Sequence, residues 1–120
     1  MSREIVNAYC RTLPGAEHSD PWGGGHDAWK VGGKLFAVVG SQGEGVSVKT
    51  PSVEDAAMLI DMGRAVRAPY FHRSWVRVDW SIAAQEEIRE RLHASYRIVR
   101  AGLTRAQRAA LEPVPPPPMS

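Results

Sequence analysis

The run Trp29-Lys30-Val31-Gly32-Gly33-Lys34-Leu35-Phe36-Ala37 sets two β-prone segments around a Gly-Gly pair. A two-residue hairpin turn needs positive φ at its centre, and glycine reaches that conformation at no steric cost. The run therefore predicts a hairpin pairing residues 27–31 with 34–40. The turn fixes the register, and register decides which side chains share a face.

The flanking chain supplies the other elements. Residues 3–13 carry Ile5, Val6, Tyr9 and Leu13 at helical spacing, which predicts a first helix with Ser2 as its N-cap. Pro14-Gly15 stops it. Residues 16–25 read as a loop containing Asp20-Pro21-Trp22-Gly23-Gly24-Gly25. This is no phosphate cradle: the Gly-x-x-x-x-Gly-Lys-Ser/Thr pattern is absent and the segment opens into a strand. Residues 41–45 make a second turn and 46–49 a third strand. Ser52, followed by Asp55, signals a helix that runs to about Met62 and stops at Gly63. Residues 66–69 suggest a short strand, 70–74 a loop, and 75–80 alternate as a strand. Ser81 is the cap candidate for a long helix over about 83–100, whose buried stripe is Ile88, Leu92, Ser95 or Tyr96, and Val99. Gly102 ends that helix, and Thr104 caps a short last one reaching about Leu111. Five prolines (Pro113, Pro115, Pro116, Pro117 and Pro118) make 112–120 an extended or disordered tail.

Strands joined by short turns are antiparallel. The order of elements thus predicts an α+β two-layer domain, with helices on one face of a mostly antiparallel sheet. A chain of 120 residues, 43% hydrophobic, is one domain, here residues 1–111. A net charge of +2 permits a nucleic-acid surface without demanding one. The single cysteine, Cys10, allows no internal disulfide and fits a reducing compartment. The opening Met-Ser-Arg-Glu-Ile-Val has no long apolar region, and no apolar run approaches the roughly 18 residues of a membrane span. A soluble cytoplasmic monomer, without membrane contact, is expected.

One layer of helices covers one parity of each strand and leaves the other open. With Trp29 opposite Phe36, and Val31 and Val38 sharing their face, the open side carries Ala28, Lys30, Leu35 and Ala37. Val46 and Val48 turned inward leave Ser47 and Lys49 outward. Val76 and Val78 turned inward leave Trp75, Arg77 and Asp79 outward. The open side thus collects Lys30, Lys49, Arg77 and Trp75. Lys34 stands at the hairpin tip, and His72 and Arg73 in the loop entering the fourth strand. Cations interleaved with an aromatic suit phosphate contacts and base stacking. The bland account is that an open sheet face needs wetting, which lysine and arginine provide without any partner.

Other chemistry-bearing residues assemble nothing in sequence. Cys10 has no neighbouring base or cation and reads as a small buried hydrophobe. His18, His26, His72 and His93 lack ligand spacing, so neither metal nor cofactor is expected. Asp20, Asp27 and Asp79 form no recognisable pair, so no enzymatic activity is expected. Trp29 and Trp80 read as core, and Trp22 as a residue folding over the sheet edge. Among outward tryptophans, Trp75 is the contact candidate.

Several of these segments resemble the MmcQ/YjbR family of small bacterial proteins with a CyaY-like (frataxin-like) fold. They are Leu13-Pro14-Gly15-Ala16-Glu17, the hairpin Lys30 to Ala37, Val48-Lys49, His72-Arg73-Ser74-Trp75-Val76, and Ser95-Tyr96-Arg97-Ile98-Val99 with Gly102-Leu103. The resemblance spans about residues 5–111. It implies DNA binding through a "double wing" of hairpin elements, with Lys30, Lys34 and Lys49 as wing candidates beside His72, Arg73 and Trp75. Frataxin itself carries iron on an acidic ridge of its first helix. Here that helix offers Glu4 alone, with Glu17 beyond its end. The expectation is a small non-enzymatic DNA-binding protein of weak sequence specificity. The alternatives are a module docking a protein partner through the same face and, further off, a metal-handling protein.

Overall fold

Gly32 and Gly33 sit at φ +58° and +79°, the doubly positive pair of a tight hairpin turn. The computed structural model describes residues 2–118. In chain order its elements are α1 (Ser2–Cys10), β1 (Ala16–Ser19), β2 (Asp27–Val31), β3 (Lys34–Val39), β4 (Gly45–Lys49), α2 (Val53–Asp61), β5 (Val66–Arg67), β6 (Trp75–Asp79), α3 (Gln85–Ala101) and α4 (Arg105–Ala109). The strands form one sheet in the order β1-β2-β3-β4-β6-β5, and every pairing is antiparallel. The α+β architecture expected from the sequence is the one observed.

The strand β1 lies where a loop was expected. Its residues Ala-Glu-His-Ser have low β-propensity, yet Ala16 to Ser19 pair with Val31 to Ala28. Pairing outweighs propensity here, because without β1 the outer backbone groups of β2 would be left open at the sheet edge. The first helix ends at Cys10, earlier than expected. Thr12 and Leu13 instead make tightened turns onto the carbonyls of Tyr9 and Cys10, and Leu13 still reaches the core. The cap expected of Ser2 involves a side chain outside the described ones, as do Met119 and Ser120 of the tail. Ser81 does not cap α3. Ile82 and Ala83 turn onto the Asp79 carbonyl first, and the helix starts after Ala84 with no side-chain cap. The Ser52 and Thr104 caps are as expected: each hydroxyl accepts from the backbone three residues on, and Gln107 reciprocates in a full capping box.

A bulge corrects the expected face assignment. Trp29 pairs with Ala37, not Phe36, and Lys30 pairs with Leu35. Phe36 is the extra residue, and both Phe36 and Ala37 enter the core. Beyond the bulge the parity of β3 reverses: Val39 points to the helices and Val38 to the open side. The expected places of Ala37 and Val38 are therefore exchanged. The remaining assignments hold, with Trp29, Val31, Val46, Val48, Val76 and Val78 all under the helices.

The core is completed by Val6 and Cys10 of α1, Ala56 and Leu59 of α2, and Ile88, Leu92, Tyr96 and Val99 of α3. Tyr96 meets Phe36 edge-on at 5.4 Å between ring centres, and its hydroxyl donates to the Pro14 carbonyl at 2.6 Å. Trp80 packs partly buried against this core, with its indole N–H donating to the Gly43 carbonyl. Residues 112–118 adopt neither helix nor strand. Pro115 and Pro118, one polyproline turn apart, are half-buried, and His93 Nε2 donates to the Pro115 carbonyl at 2.8 Å.

Candidate nucleic-acid interface

The pairing register lays out the uncovered face in rows. The middle row is Ser19, Ala28, Val38, Ser47, Arg77 and Val66. Toward the Gly32-Gly33 turn lies a row with Glu17 opposite Lys30, Lys30 opposite Leu35, and Lys49 opposite Trp75. Toward the other end, Gly45 stands opposite Asp79. Because the strands alternate in direction, Lys30, Lys34, Lys49 and the 72–74 lead-in to β6 all fall at the same end of the sheet. The acids Glu44 and Asp79 fall at the opposite end.

The seven candidate residues differ in what they have to offer. Lys34 and Arg73 are exposed and have no ion-pair partner among the described residues. Lys30 is half-buried and shares its face with Glu17 across the strand pair. The Lys49 ammonium donates to Ser74 Oγ at 2.9 Å, and His72 Nδ1 lies 2.9 Å from the same hydroxyl while accepting from the Ser74 amide. Ser74 thereby ties Lys49 and His72 into one cluster. Two expectations need correcting. Trp75 is only 9% exposed, because Phe71 stacks on it at 4.6 Å with 19° between the ring planes. Its ring is already covered and offers no open platform. Arg77 is not a free charge: its guanidinium donates to both Asp79 oxygens at 2.6 and 3.1 Å, and Glu44 stands at 3.7 Å. The Asp79 bond, reinforced by the two acids' charges against a smaller burial effect, raises Arg77 above its ordinary pKa.

The sequence reading also passed over a hollow in this face. It encloses about 900 Å³, at the upper end of the size range of small-ligand pockets. Leu35 and Val38 form an apolar floor beside Ser47 and Arg77. Trp22, Tyr70 and Phe71 stand at its rim. Trp22 is 54% exposed and Tyr70 fully so. Tyr70 holds φ +73°, the only non-glycine residue with positive φ among those described, a conformation that costs about 1–3 kcal/mol. The signal was legible in part: Tyr70-Phe71 and Trp22 are bulky aromatics in loops, outside any apolar period. Their convergence depends on β1, which brings residues 20–26 back over the sheet, and on the bulge, which turns Val38 outward.

The glycine-rich loop is organised from within. The Asp20 carboxylate accepts from the Gly25 and His26 amides at 3.0 and 3.2 Å. The amides that a phosphate cradle needs are thus engaged already. Cys10 is fully buried, and burial pushes its thiol far above the ordinary range. Asp27 forms a cluster that sequence reasoning missed, with Arg3 from α1 and with His18 Nε2 at 2.6 Å. Burial pushes the Asp27 carboxyl up, but hydrogen bonds from His18, Arg3 and Asn7 together outweigh it and hold its pKa below the usual value. Arg3 also donates to the Gly25 and Gly40 carbonyls. The cluster therefore fastens α1 to the loops at the ends of β2 and β3. Among the described residues, no group of three or more His, Cys, Asp or Glu is placed to hold a metal ion. No helix among them is long and apolar enough to cross a membrane.

Comparison with known proteins agrees with this architecture. Among solved structures, the chain is similar to the crystal structure of Deinococcus radiodurans protein DR2400, of the domain family DUF419. The TM-score is 0.76 at 20% identity, over 89% of this chain and 85% of that one. At that identity the likeness concerns the fold. A search among curated proteins gives no significant match. The family model described as YjbR matches residues 11–98, from the end of the first helix almost to the end of α3. The chain belongs to the YjbR family.

Proposed function

We propose that this domain is a small non-enzymatic DNA-binding protein of the cytoplasm, contacting DNA chiefly through phosphates at the hairpin-tip end of its open sheet face. One observation carries the reading: four neighbouring strands each bring a cation to that end. They are Lys30 on β2 and Lys49 on β4, Lys34 at the turn end of β3 opposite Val31, and Arg73, beside His72, on the approach to β6. At the usual spacing between strands, this end of the four strands spans about 14 Å, on the order of four base steps of duplex. The hairpin tip carrying Lys34 and the 72–74 lead-in carrying Arg73 are the two projecting elements of a double wing. Phosphate contacts carry no base information, so sequence specificity is weak and salt dependence strong.

Fluorescence anisotropy with labelled duplex and single-stranded DNA at two salt concentrations tests this. Binding at low salt should weaken linearly on a log-log salt plot. Charge reversal at Lys34 together with Arg73 should lower affinity tenfold or more, by removing two phosphate contacts and adding two repulsions. Absence of binding by either DNA form at low salt overturns the reading.

A further inference from the structure

We infer that the hollow rimmed by Trp22, Tyr70 and Phe71 is a subsite for unpaired nucleobases, which makes single-stranded DNA the preferred ligand. The inference rests on the phosphate-contact reading above and deepens it. A base is a planar, largely apolar ring joined to an anion. The hollow offers the complementary pair of features. Its floor is Leu35 and Val38, and its rim carries three aromatic side chains. The next row toward the hairpin tip holds Lys30 and Lys49. A strand with its backbone along that cationic row can turn bases sideways onto the middle row. Duplex DNA cannot, because its bases are stacked and paired inside the helix.

Two features show aromatic surface held ready. Trp75 lies beneath Phe71, in a near-parallel stack of 19°, so the outer ring is braced while staying only half-buried. The stacking surface expected of Trp75 is therefore presented one ring further out, by Phe71. Tyr70 keeps a strained backbone conformation and buries nothing in return. Ordinary packing does not repay that strain, whereas contact with a ligand does. Beside the apolar floor, the Ser47 hydroxyl and the Arg77 guanidinium give hydrogen-bonding groups for a base edge, the charge of Arg77 already balanced by Asp79. Base-aromatic stacking tolerates any sequence, since every base has a π-face.

The test compares oligothymidine with duplex DNA of equal length at low salt, by anisotropy and by tryptophan emission. Trp22 is well exposed, Trp29 and Trp75 are buried, and Trp80 is half-buried with its indole N–H held by the Gly43 carbonyl, so a base stacking in the hollow quenches chiefly Trp22. We expect oligothymidine to bind about tenfold or more tightly than duplex. Tyr70→Ala and Trp22→Ala should each lower oligothymidine affinity by about five- to tenfold and leave duplex binding unchanged. Trp22→Phe should keep binding and lose the quench. Both side chains are exposed, so the variants keep the fold, as circular dichroism will show. Equal affinity for the two DNA forms, indifferent to both alanine variants, overturns the subsite and leaves phosphate binding standing. Failure of both forms to bind removes the DNA reading and the subsite with it. Quenching of Trp22 by a peptide of residues 112–118, with none by oligothymidine, gives the hollow to a proline-rich segment and overturns the inference.

Discussion

The Ser95 hydroxyl donates to the Phe36 carbonyl at 2.6 Å, joining the middle of α3 to the bulged residue of β3. The same oxygen accepts from the Lys49 amide at 2.9 Å. The β3–β4 pairing runs only from Val39 to Ala37. Where it stops, Ser95 links the two strands through its side chain. The residue is fully buried, so Ser95→Ala strands a carbonyl and an amide away from water. It should cost about 1–3 kcal/mol. Urea unfolding should show a lower midpoint with an unchanged slope.

The two turn glycines are not equivalent. A Cβ on Gly32 meets Leu103 Cδ2 at 2.6 Å, whereas on Gly33 it meets nothing within 4 Å. Gly33→Ala should cost only the left-handed backbone penalty, about 1–2 kcal/mol. Gly32→Ala adds a collision with a leucine that is itself buried, about 1–3 kcal/mol more. Thermal unfolding of the two variants side by side checks the order, and equal losses would contradict the packing of α4's lead-in on the hairpin.

Charge alone does not rank the cations. Lys34→Gln should reduce the log-log salt slope of DNA binding by about one, because its ammonium has no acidic partner among the described residues. Arg77→Gln should change that slope little, because Asp79 and Glu44 already balance the guanidinium. Anisotropy over a salt series separates the two. A larger effect from Arg77 would move the contact surface to the acidic end of the sheet.

The lowered pKa of Asp27 makes the α1 fastening acid-sensitive. A carboxyl depressed in the folded state contributes stability above its unfolded value, and that stability is lost as pH falls through the folded value. The wild type should therefore exceed Asp27→Asn in stability at pH 7. The gap should narrow as pH drops below about 4. Urea titrations at both pH values measure it, and a gap independent of pH would rule out the ionised carboxylate as the cause.

Cys10 should resist modification. Its thiol is buried and held protonated by that burial, so a thiol-specific reagent at pH 8 should label the native protein only as fast as the chain opens. Addition of denaturant should bring immediate labelling of one thiol per chain. Rapid labelling of the native protein would place Cys10 near the surface.

The hairpin, the valine alternation of β4 and β6, and the Ser52 and Thr104 caps were legible because each rests on a local signal. The bulge at Phe36 was not. Nothing in Leu35-Phe36-Ala37-Val38 distinguishes an unbroken strand from one with an extra residue, and the choice is made by Ser95 and Tyr96, about sixty residues away. That single step exchanged Ala37 with Val38 and hid the hollow's floor. Lys30, Lys49 and Trp75 were placed on the right side by parity. Parity says nothing of what else reaches a side chain, so the Phe71 cover over Trp75 and the acids around Arg77 lay beyond it. Tertiary pairing likewise recruited β1 from a segment with no strand propensity of its own.

The sheet's margins have a consequence for how this molecule behaves when crowded. Its outermost strands are the shortest, with four residues in β1 and two in β5, and Pro69 follows soon after β5. Neither margin presents a stretch of open backbone long enough to recruit a further chain into continuous β-structure. Copies of this protein therefore have little means of polymerising side by side.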